Sequence, residues 1–500
     1  MSVSAFKSLG IEKTIDLKIK EIQSLYQENK IPWVIGYSGG KDSTAVTQLT
    51  WMAINSLPIE ERKKPIYVIT TDTMVENPVV SNWVESSLQQ MKSEAKLSEM
   101  PIKPNLLKPE LKDRFWVNLI GKGYPAPRRG FRWCTDRLKI RPSNNFIKRV
   151  VSKHGEAIML LGVRSAESAA RAKTIKTHNR EGSNLSDHQN LPNCKIFSPI
   201  VDWSNDDVWV FLDQYSNPWN YSNEKLKSMY QGATEDNECP VVVDTSTPSC
   251  GSSRFGCWVC TLVQKDKSMD AMIKNDQEKE WMSPLLKIRD EIDFYSDKAQ
   301  VAERAAREFS RLSGEVSFYT NKSGDIDTVP GPYTKAKRIK ILEKVLKAEA
   351  RIEDHFELNK MGESTQLISF DELEEIRRIW IEDKHEIEDE IPEIYQRIKG
   401  KKYEGKTYRS LAVLNTENLD VLESLCESQK EYEMVRNLLV KEMKLKSSGV
   451  RRGFINQLEK ELNKFLYITK DEALEAGHKR QDIIKSIEIK PLNDYEGIKI

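Results

Sequence analysis

The sequence lacks any stretch that is apolar and long enough to span a membrane. Met1 to Lys20 contains no apolar core of the kind that marks a secretory signal. The hydrophobic content is only 39% and the formal net charge is only +1. This charge excludes a globally basic nucleic-acid-binding protein, although it allows a local basic patch. We therefore expect a cytoplasmic protein that has no membrane partner.

Cysteine is scarce, with seven residues in 500, and there is no internal repeat or low-complexity tract. In a chain without a signal sequence, such cysteines are expected to be thiols, metal ligands or catalysts rather than disulfides. A chain of this length is too long for one compact core, so two or three domains are expected.

The most informative stretch is residues 34–44, VIGYSGGKDST. Apolar residues 32–35 predict a buried strand, two glycines permit a tight turn, and apolar residues spaced through 45–53 predict a helix. A strand, a glycine loop and a helix N-terminus together form an anion site, because free N–H groups and the positive end of the helix dipole face the ligand. The candidate binding residues are Ser38, Gly39, Gly40, Lys41, Asp42 and Ser43, of which the last three are also candidate catalytic residues.

This loop does not have the spacing of a Walker A motif, which requires four residues between its first glycine and the Gly-Lys-Ser/Thr. Gly36 and Gly40 are separated by three residues, and Asp42 intervenes between Lys41 and Ser43. The stretch instead resembles the SGGxDS loop of the ATP-pyrophosphatase (PP-loop) superfamily. The resemblance implies ATP as cofactor and release of its pyrophosphate. The phosphoadenylylsulfate reductases share this fold and use the same site for a sulfonucleotide.

Residues 1–230 are expected to form this α/β domain, with a doubly wound parallel sheet, because strand and helix patterns alternate along it. Asp72 follows the second predicted strand, so it is placed to contact adenosine or to cap a turn. Residues 173–186 are polar and predict a mobile loop. Ser204 and Asp207 form a capping-box pattern. The predicted strands are 32–35, 65–70, 102–107, 157–162 and 195–201, and the predicted helices include 15–29, 77–99 and 143–154.

Between residues 108 and 141 the sequence is basic, with ten lysines and arginines against three acids. Basic residues interleaved with aromatics suit a phosphate backbone and splayed bases, although a solvated charged loop is the alternative. The candidate nucleic-acid-binding residues are Arg128, Arg129, Arg132, Arg137 and Lys139. The interleaved aromatics are Trp116, Tyr124, Phe131 and Trp133.

Two further motifs resemble those of sulfonucleotide reductases. The first is RWCTDRLKI at 132–140, although it carries only Cys134 where the iron–sulfur reductases carry two adjacent cysteines. The second is GVRSAES at 162–168, followed by Arg171. Gly162 and Arg164 are therefore expected at the nucleotide, and Arg164 and Arg171 are expected to neutralise phosphates.

Residues 231–265 form a cysteine-rich segment, and four of its cysteines lie within 22 residues. The predicted metal ligands are Cys134, Cys250, Cys257 and Cys260. Their spacing favours a [4Fe–4S] cluster over zinc, because structural zinc usually has paired C-x2-C knuckles and only one is present. Cys239 is either a persulfide carrier or the fourth ligand. Cys194 is a weaker sulfur-carrier candidate, and Cys426 is expected in the core.

Taken together, the motifs between residues 10 and 265 resemble the sulfurtransferases of Dnd-type DNA phosphorothioation systems. This resemblance implies that ATP and Mg²⁺ adenylate a DNA phosphate, pyrophosphate leaves, and a sulfur nucleophile displaces AMP. It also implies a cysteine desulfurase and other Dnd proteins as partners. The alternatives are an adenylylsulfate or phosphoadenylylsulfate reductase, a tRNA thiolase, and a nucleotide-sensing subunit of a DNA-modification complex. The chain ends without the Glu-Cys-Gly-x-His tail that is usual in the reductases.

The remaining sequence is helical in pattern and rich in charges of both signs. We expect a helical linker region at 266–330 and a helical C-terminal region at 331–500 that docks partner proteins or DNA. Solvated helix faces are the alternative.

Overall fold

The structure is a computed structural model. It describes residues 4–128, 130–167, 185–188, 190–233, 255–293, 296–311, 313–321, 324–359, 365–406, 416–447 and 453–488. The chain forms two compact units. Unit 1 contains residues 1–115, 127–292 and 351–367, and unit 2 contains residues 116–126, 293–350 and 368–500.

Unit 1 is built on a six-stranded, mostly parallel sheet. Its strands are β1 (Trp33–Gly36), β2 (Ile66–Thr71), β3 (Ile102–Leu107), β4 (Ala157–Leu160), β5 (Leu185–Asp187) and β6 (Cys194–Phe197). Its helices are α1 (Gly10–Glu28), α2 (Lys41–Asn55), α3 (Pro78–Leu97), α4 (Arg141–His154), α5 (Asn205–Gln214), α6 (Asn223–Gly232), α7 (Lys267–Asn275) and α8 (Ser283–Ile292). The strands predicted from apolar runs are therefore confirmed, with bounds that differ by a few residues.

The strand order is β3-β2-β1-β4-β6-β5, which places a topological switch between β1 and β4. The chain runs outward from β1 to β3 and then returns to β4 on the other side of β1. In open α/β sheets the carboxyl ends of the strands at such a switch form the ligand crevice. The sheet therefore brings the loop after β1 and the residues after β4 to one place.

The prediction of a fully parallel sheet is wrong at its edge, because β5 pairs with β6 in the antiparallel direction. The connection 188–193 is too short for a parallel crossover, which needs a dozen or more residues, so the two strands form a hairpin. Residues 185 and 186, which were predicted to lie in a mobile loop, belong to this strand.

Helices cover both faces of the sheet. Trp33 and Ile35 of β1 join one buried cluster with side chains from α1, α2, α3, α5 and α6. Val34 joins a second cluster with Ile147 and Val150 of α4. Alternate residues of one strand thus serve opposite cores, as expected for a strand that is buried on both faces.

Local sequence signals set the starts of two helices near the switch. Asn77 caps α3, because its side-chain oxygen accepts a hydrogen bond from the Val79 amide at 3.0 Å, and Pro78 occupies the first helical turn. The predicted capping box of α5 is confirmed. The Asp207 amide donates to Ser204 Oγ at 3.1 Å, and the Ser204 amide donates to Asp207 Oδ2 at 2.8 Å.

Unit 2 is mostly helical and includes one short hairpin. Its helices are α9 (Asp297–Ala305), α10 (Lys335–Leu358, of which residues 351–358 belong to unit 1), α11 (Phe370–Arg378), α12 (Ile391–Lys399), α13 (Thr416–Leu425), α14 (Gln429–Ser447), α15 (Phe454–Leu462) and α16 (Lys470–Glu488). The hairpin pairs β7 (Phe318–Thr320) with β8 (Ile326–Thr328). Across the described ranges, none of the helices combines the length and apolarity that crossing a bilayer requires.

Candidate active site

The loop after β1 has the backbone of an anion cradle. Gly39 has φ +73°, and a Cβ placed there would lie 2.4 Å from Val84 Cγ2, so no larger residue fits. Gly40 precedes the first residue of α2 and offers no side-chain cap. The first amide of α2, that of Lys41, instead donates to the Tyr230 hydroxyl at 3.3 Å, and the positive end of the helix dipole faces the loop.

The two serines of the loop hold it closed. Ser43 Oγ donates to the Gly40 carbonyl at 2.9 Å and accepts a hydrogen bond from the Ser38 amide at 3.1 Å. The Ser38 and Ser43 hydroxyls are also 3.1 Å apart. These short-range bonds fix the turn, and both serines line the adjoining cavity.

Asp42 links the loop to the end of β4. Its Oδ1 atom accepts a hydrogen bond from Arg164 Nε at 2.7 Å, and its Oδ2 atom lies 3.6 Å from Lys41 Nζ. Arg164 and Lys41 are 4% and 6% exposed, so the pairing operates where water screens it weakly. One carboxylate thus positions two buried cations, which is an arrangement suited to a bound phosphate.

Gly162 allows the chain after β4 to approach the first turn of α2 closely enough for Arg164 to pair with Asp42. A Cβ at this position would lie 2.8 Å from the carbonyl carbon and oxygen of Asp42 and 3.1 Å from the Ser43 amide. Backbone atoms cannot give way as a flexible side chain can. The glycine of the GVRSAES motif therefore serves the close approach of β4 to the first turn of α2.

A cavity of about 730 Å³ opens over the loop at the carboxyl ends of β1, β2 and β4. This volume is within the usual range for small-molecule sites. Three cations and four acids line it: Lys41, Lys139 and Arg164, and Asp42, Asp72, Glu76 and Glu85.

Asp72 caps a turn, which is one of its two predicted roles, and its contact with adenosine stays a prediction. Its Oδ1 atom accepts a hydrogen bond from the Met74 amide at 2.8 Å, which caps the turn after β2. Its Oδ2 atom lies 3.7 Å from Lys108 Nζ, and the residue also lines the cavity.

One of the predicted cysteine ligands, Cys257, contacts the turn that borders this cavity. Residues Glu76 and Cys257 form an isolated antiparallel bridge, and the Trp258 amide donates to the Val75 carbonyl at 3.0 Å. Cys257 Sγ lies 3.3 Å from Thr73 Oγ1 and 3.7 Å from Glu76 Oε1. The C-x2-C knuckle at residues 257–260 is thereby joined to the turn after β2.

Cys134 and Cys257 both interact electrostatically with Cys260. Burial raises the pKa of Cys134, and the neighbouring Cys260 raises it further. Burial and then Glu76 raise the pKa of Cys257, while Lys139 lowers it. The Lys139 ammonium lies 3.3 Å from Glu76 Oε1, and the Cys257 and Glu76 charges raise its pKa.

Thiols are the donors that an iron–sulfur cluster requires, so this donor set fits the predicted cluster in type. Within the described ranges, however, no three His, Cys, Asp or Glu side chains converge closely enough to hold a metal ion. Cys250, the fourth predicted ligand, and Cys239, its alternative, lie outside the described residues. The same is true of Arg129 and Arg171.

The structure corrects two other cysteine predictions. Cys194 is 3% exposed within β6, and burial raises its pKa to about 11, so it is unsuited to carrying sulfur. Cys426 follows α13 in a partly exposed position and does not belong to the core.

The basic segment is only partly a surface. Trp116 and Trp133 are buried, and Trp133 stacks on Phe115 with ring centroids 5.4 Å apart, so the prediction that these tryptophans stack on bases is wrong. The interleaving of aromatic and basic residues in the sequence does not show which aromatic side chains tertiary packing will bury. Phe131 remains exposed and Tyr124 partly so.

The basic residues of this segment divide into two groups. Arg128 and Arg132 are exposed, whereas Arg137 lies 3.9 Å from Asp113 and Lys139 pairs with Glu76 at the cavity. The first pair is thus placed for contacts with a partner, and the second is engaged with acids of unit 1.

Sequence reasoning did not identify Glu76, Trp83 and Tyr230. Trp83 Nε1 donates to the Gly39 carbonyl at 3.2 Å, and the Lys41 amide donates to the Tyr230 hydroxyl oxygen at 3.3 Å. Neither aromatic residue belongs to a motif, and each reaches the loop from a helix that is distant in sequence. The only sequence signal at Glu76 is that it directly precedes Asn77, the residue that caps α3.

Comparisons with known proteins agree with this fold. Residues 32–263 match the profile of the phosphoadenosine phosphosulfate reductase domain. An uncharacterised protein of Methanocaldococcus jannaschii is 26% identical over 243 residues, which are 49% of this chain and 39% of that protein. The chain therefore spans well under half the length of that relative.

Two solved structures are also similar. The phosphoadenylyl-sulfate reductase of Candida auris, solved as a phosphate complex, has 13% identity and a TM-score of 0.25 over 43% of this chain and 89% of its own. The U34-tRNA thiolase NcsA of Methanococcus maripaludis, solved with its [4Fe–4S] cluster, has 14% identity and a TM-score of 0.28 over 45% of this chain and 76% of its own. The profile match alone identifies a phosphoadenosine phosphosulfate reductase-like PP-loop domain at residues 32–263, and a mostly helical region follows it.

Proposed function

We propose that this protein is an ATP-dependent sulfurtransferase that acts on DNA. It adenylates a backbone phosphate, releases pyrophosphate, and then replaces a non-bridging oxygen with sulfur. The observation that carries the proposal is that Cys257 contacts Glu76, a residue that lines the cavity over the loop. Glu76 and Lys139 line that cavity together with Lys41, and the same two residues contact or electrostatically influence Cys257.

In the first step, a non-bridging oxygen of the acceptor phosphate attacks the α-phosphorus of ATP, and the bond to pyrophosphate breaks. Lys41, Arg164 and the first amides of α2 are placed to bind the charge that develops on the leaving pyrophosphate. In the second step, a sulfur nucleophile attacks the acceptor phosphorus, and AMP leaves with the original oxygen. The oxygen atom that DNA loses is therefore carried away on AMP.

The charge balance of the cavity argues for a divalent cation with the nucleotide. Four carboxylates line the cavity against three cations, so a polyphosphate would enter a site of net negative charge. Asp72, Glu76 and Glu85 offer the oxygen ligands that Mg²⁺ prefers. Asp42 is less available, because it pairs with Arg164 and Lys41.

We assign the sulfur source to the cysteines, of which Cys257 contacts the cavity-lining Glu76. Cys134, Cys257, Cys260 and Cys250 would hold a [4Fe–4S] cluster, which when bound supplies a site for a sulfur nucleophile or for electron transfer. A cysteine desulfurase would supply the sulfur as a persulfide, whose S–S bond a second thiol breaks by forming a disulfide with the carrier cysteine, and Cys239 stays a candidate carrier. Other Dnd proteins are the expected partners.

A basic helix beside the cavity supports a polyanionic acceptor. Ser143 of α4 lines the cavity and its hydroxyl lies 3.1 Å from Thr71 Oγ1, while the rest of α4 exposes Lys148, Arg149 and Lys153. The 14-residue helix contains no acid and is about 20 Å long. One strand of a DNA duplex presents about six phosphates over that distance. A mononucleotide sulfur donor would not need such a surface.

The second candidate is a phosphoadenylylsulfate reductase, and the profile match over residues 32–263 favours it. In that reaction a thiol attacks the sulfur of the sulfonucleotide, the nucleotide leaves, and sulfite is released after a second thiol forms a disulfide. No pyrophosphate is produced, so the two candidates differ in their first product.

The test is to measure pyrophosphate release from Mg-ATP with and without duplex DNA, comparing the wild-type protein with the Lys41→Ala variant. We expect release that depends on DNA in the wild type and falls about 100-fold or more in the variant. Lys225→Ala is the matched control, since Lys225 is an exposed lysine of α6 outside the cavity. Sulfite release from phosphoadenylylsulfate without pyrophosphate release from ATP would instead establish the reductase.

A further inference from the structure

The phenol of Tyr230 occupies a position directly over the phosphate loop. Its oxygen accepts the hydrogen bond of the Lys41 amide at 3.3 Å. A Cβ added to Gly40 would come within 3.1 Å of the same oxygen. The residue is only 6% exposed and lines the cavity. A loop amide that would otherwise face an anion thus has a neutral oxygen as its partner.

The ring of Tyr230 is fixed on several sides. Trp209 and Phe255 pack against it edge to face, with centroids 5.1 Å and 4.8 Å away. The Lys41 ammonium lies 5.4 Å from the ring centroid. Aromatic contacts of this kind restrict the ring without using its hydroxyl group, so the hydroxyl is held in place for another partner.

The hydroxyl keeps its proton, because burial raises the pKa of Tyr230 well above its ordinary value. The phenol oxygen acts as an acceptor for the Lys41 amide. Among the described residues, the structure gives no acceptor for the phenolic proton. A buried donor of this kind is costly unless a ligand supplies the missing acceptor.

We propose that Tyr230 is a phosphate-binding residue of this site, which donates its O–H to an oxygen of the pyrophosphate group of the bound nucleotide. This rests on the proposed function, because it assumes that the loop takes a polyphosphate. When the nucleotide enters, a phosphate oxygen replaces the phenol oxygen as acceptor for the Lys41 amide, and Tyr230 changes from acceptor to donor. Until then, the phenol keeps that amide satisfied and the loop in its binding conformation.

The ligand chemistry follows from the geometry of the loop. The Lys41 ammonium lies 5.4 Å from the ring centroid of Tyr230, and Arg164 Nε lies 2.7 Å from Asp42 on the same turn, so the group that meets Tyr230 carries negative charge. Hydrogen bonds to charged oxygens are about twice as strong as those between neutral groups. Loss of one such bond, at about 1.5–3 kcal/mol, corresponds to a roughly 10- to 150-fold loss of affinity.

The test is calorimetric binding of inorganic pyrophosphate, with Mg²⁺, to the wild type, Tyr230→Phe and Tyr221→Phe. Phenylalanine keeps the ring contacts and removes only the hydroxyl. Tyr221 is the matched control, because its hydroxyl donates to the Trp83 carbonyl at 3.0 Å and it does not line the cavity. We expect Tyr230→Phe to weaken pyrophosphate binding by about tenfold or more and Tyr221→Phe to leave it unchanged. AMP, which lacks the leaving phosphates, should bind both variants like the wild type, whereas a purely structural defect would weaken both ligands.

The outcomes separate this inference from the proposed function. Normal pyrophosphate affinity in Tyr230→Phe overturns the role of Tyr230 and leaves the sulfurtransferase proposal standing. Failure of the wild type to bind pyrophosphate overturns both. If Tyr230→Phe does not fold, 3,5-difluorotyrosine at position 230 replaces it, since fluorine makes the phenol a stronger donor and keeps the ring. Tighter pyrophosphate binding then supports the inference, and unchanged binding overturns it.

Discussion

At the scale of single residues, the site depends on close backbone approaches as much as on charged groups. Gly162 lets the end of β4 touch the first turn of α2, and Asp42 on that turn then meets Arg164. Because Gly162 has no side chain, Asp42 can pair with both Arg164 and Lys41. Charge alone would not place them, because both are buried and depend on a single carboxylate.

We predict that Gly162→Ala abolishes pyrophosphate release while the protein stays folded. The new methyl group would lie 2.8 Å from the Asp42 carbonyl group, so α2 must shift and the loop with it. Such a misplacement can cost about 100-fold in rate. Gly232→Ala is the control, because a Cβ there meets nothing within 4 Å. Wild-type activity in Gly162→Ala would show that this approach does not set the loop geometry.

Lys64 gives a prediction about pH. It is 6% exposed beside Tyr26 and Trp33, and burial lowers its pKa from 10.5 to about 8. Between pH 8 and 10.5 the unfolded chain binds more protons than the folded chain at this residue, so its contribution to stability rises with pH. The Lys64→Met variant has no ionisable group at this position, so it lacks this pH-dependent contribution to stability. From pH 7 to 9.5, urea unfolding of unit 1 should show the wild type gaining up to about 2 kcal/mol relative to the variant. A constant difference would mean that Lys64 stays charged in the folded state.

At the scale of elements, the switch between β1 and β4 explains why residues far apart in sequence form one site. The strand runs were predictable because they are apolar and bounded by turn residues, and the glycine loop was predictable from its motif. The edge strand β5 was not, since it has three residues and only Leu185 is apolar. Tyr230 and Trp83 could not be assigned either. Their roles arise from packing of α6 and α3 against the loop, and the sequence carries no local signal for that.

Helix α4 gives a prediction at this scale. Replacing Lys148, Arg149 and Lys153 by alanine should weaken duplex DNA binding and lower the slope of log affinity against log salt by about three. None of the three makes an ion pair within the described part of the chain, so the fold should tolerate the change. The control replaces Lys13, Lys92 and Lys96, which are exposed on α1 and α3, helices that pack on the other face of the sheet. An unchanged slope in the α4 variant would place the DNA path elsewhere.

At the scale of the whole molecule, unit 1 contains the chemistry that can be named and unit 2 is mostly helical. Docking of partner proteins or DNA by residues 331–500 stays a prediction. The domain boundaries after residues 230, 265 and 330 also stay predictions. The net charge of the whole chain is only +1. An enzyme of this net charge can bind DNA only if its basic residues are concentrated on one surface, as they are on α4.

The cluster gives a prediction for the whole protein. Anaerobically purified wild type should be brown and contain about four irons per chain. Cys134→Ser, Cys257→Ser and Cys260→Ser should each lose that iron, because each removes a predicted ligand of the cluster. Cys426→Ser is the control, since this cysteine follows α13 in a partly exposed position. Stoichiometric zinc without iron would contradict the cluster assignment.

The most direct test of sulfur transfer is mass spectrometry of DNA after the reaction. The wild-type protein is incubated with Mg-ATP, duplex DNA, a cysteine desulfurase, isotopically labelled cysteine and the partner Dnd proteins, and the DNA is then digested to nucleosides. We predict dinucleotides with a labelled phosphorothioate linkage, which disappear when ATP is omitted or Lys41 is replaced by alanine. Pyrophosphate release accompanied by DNA that carries no labelled sulfur would contradict the account.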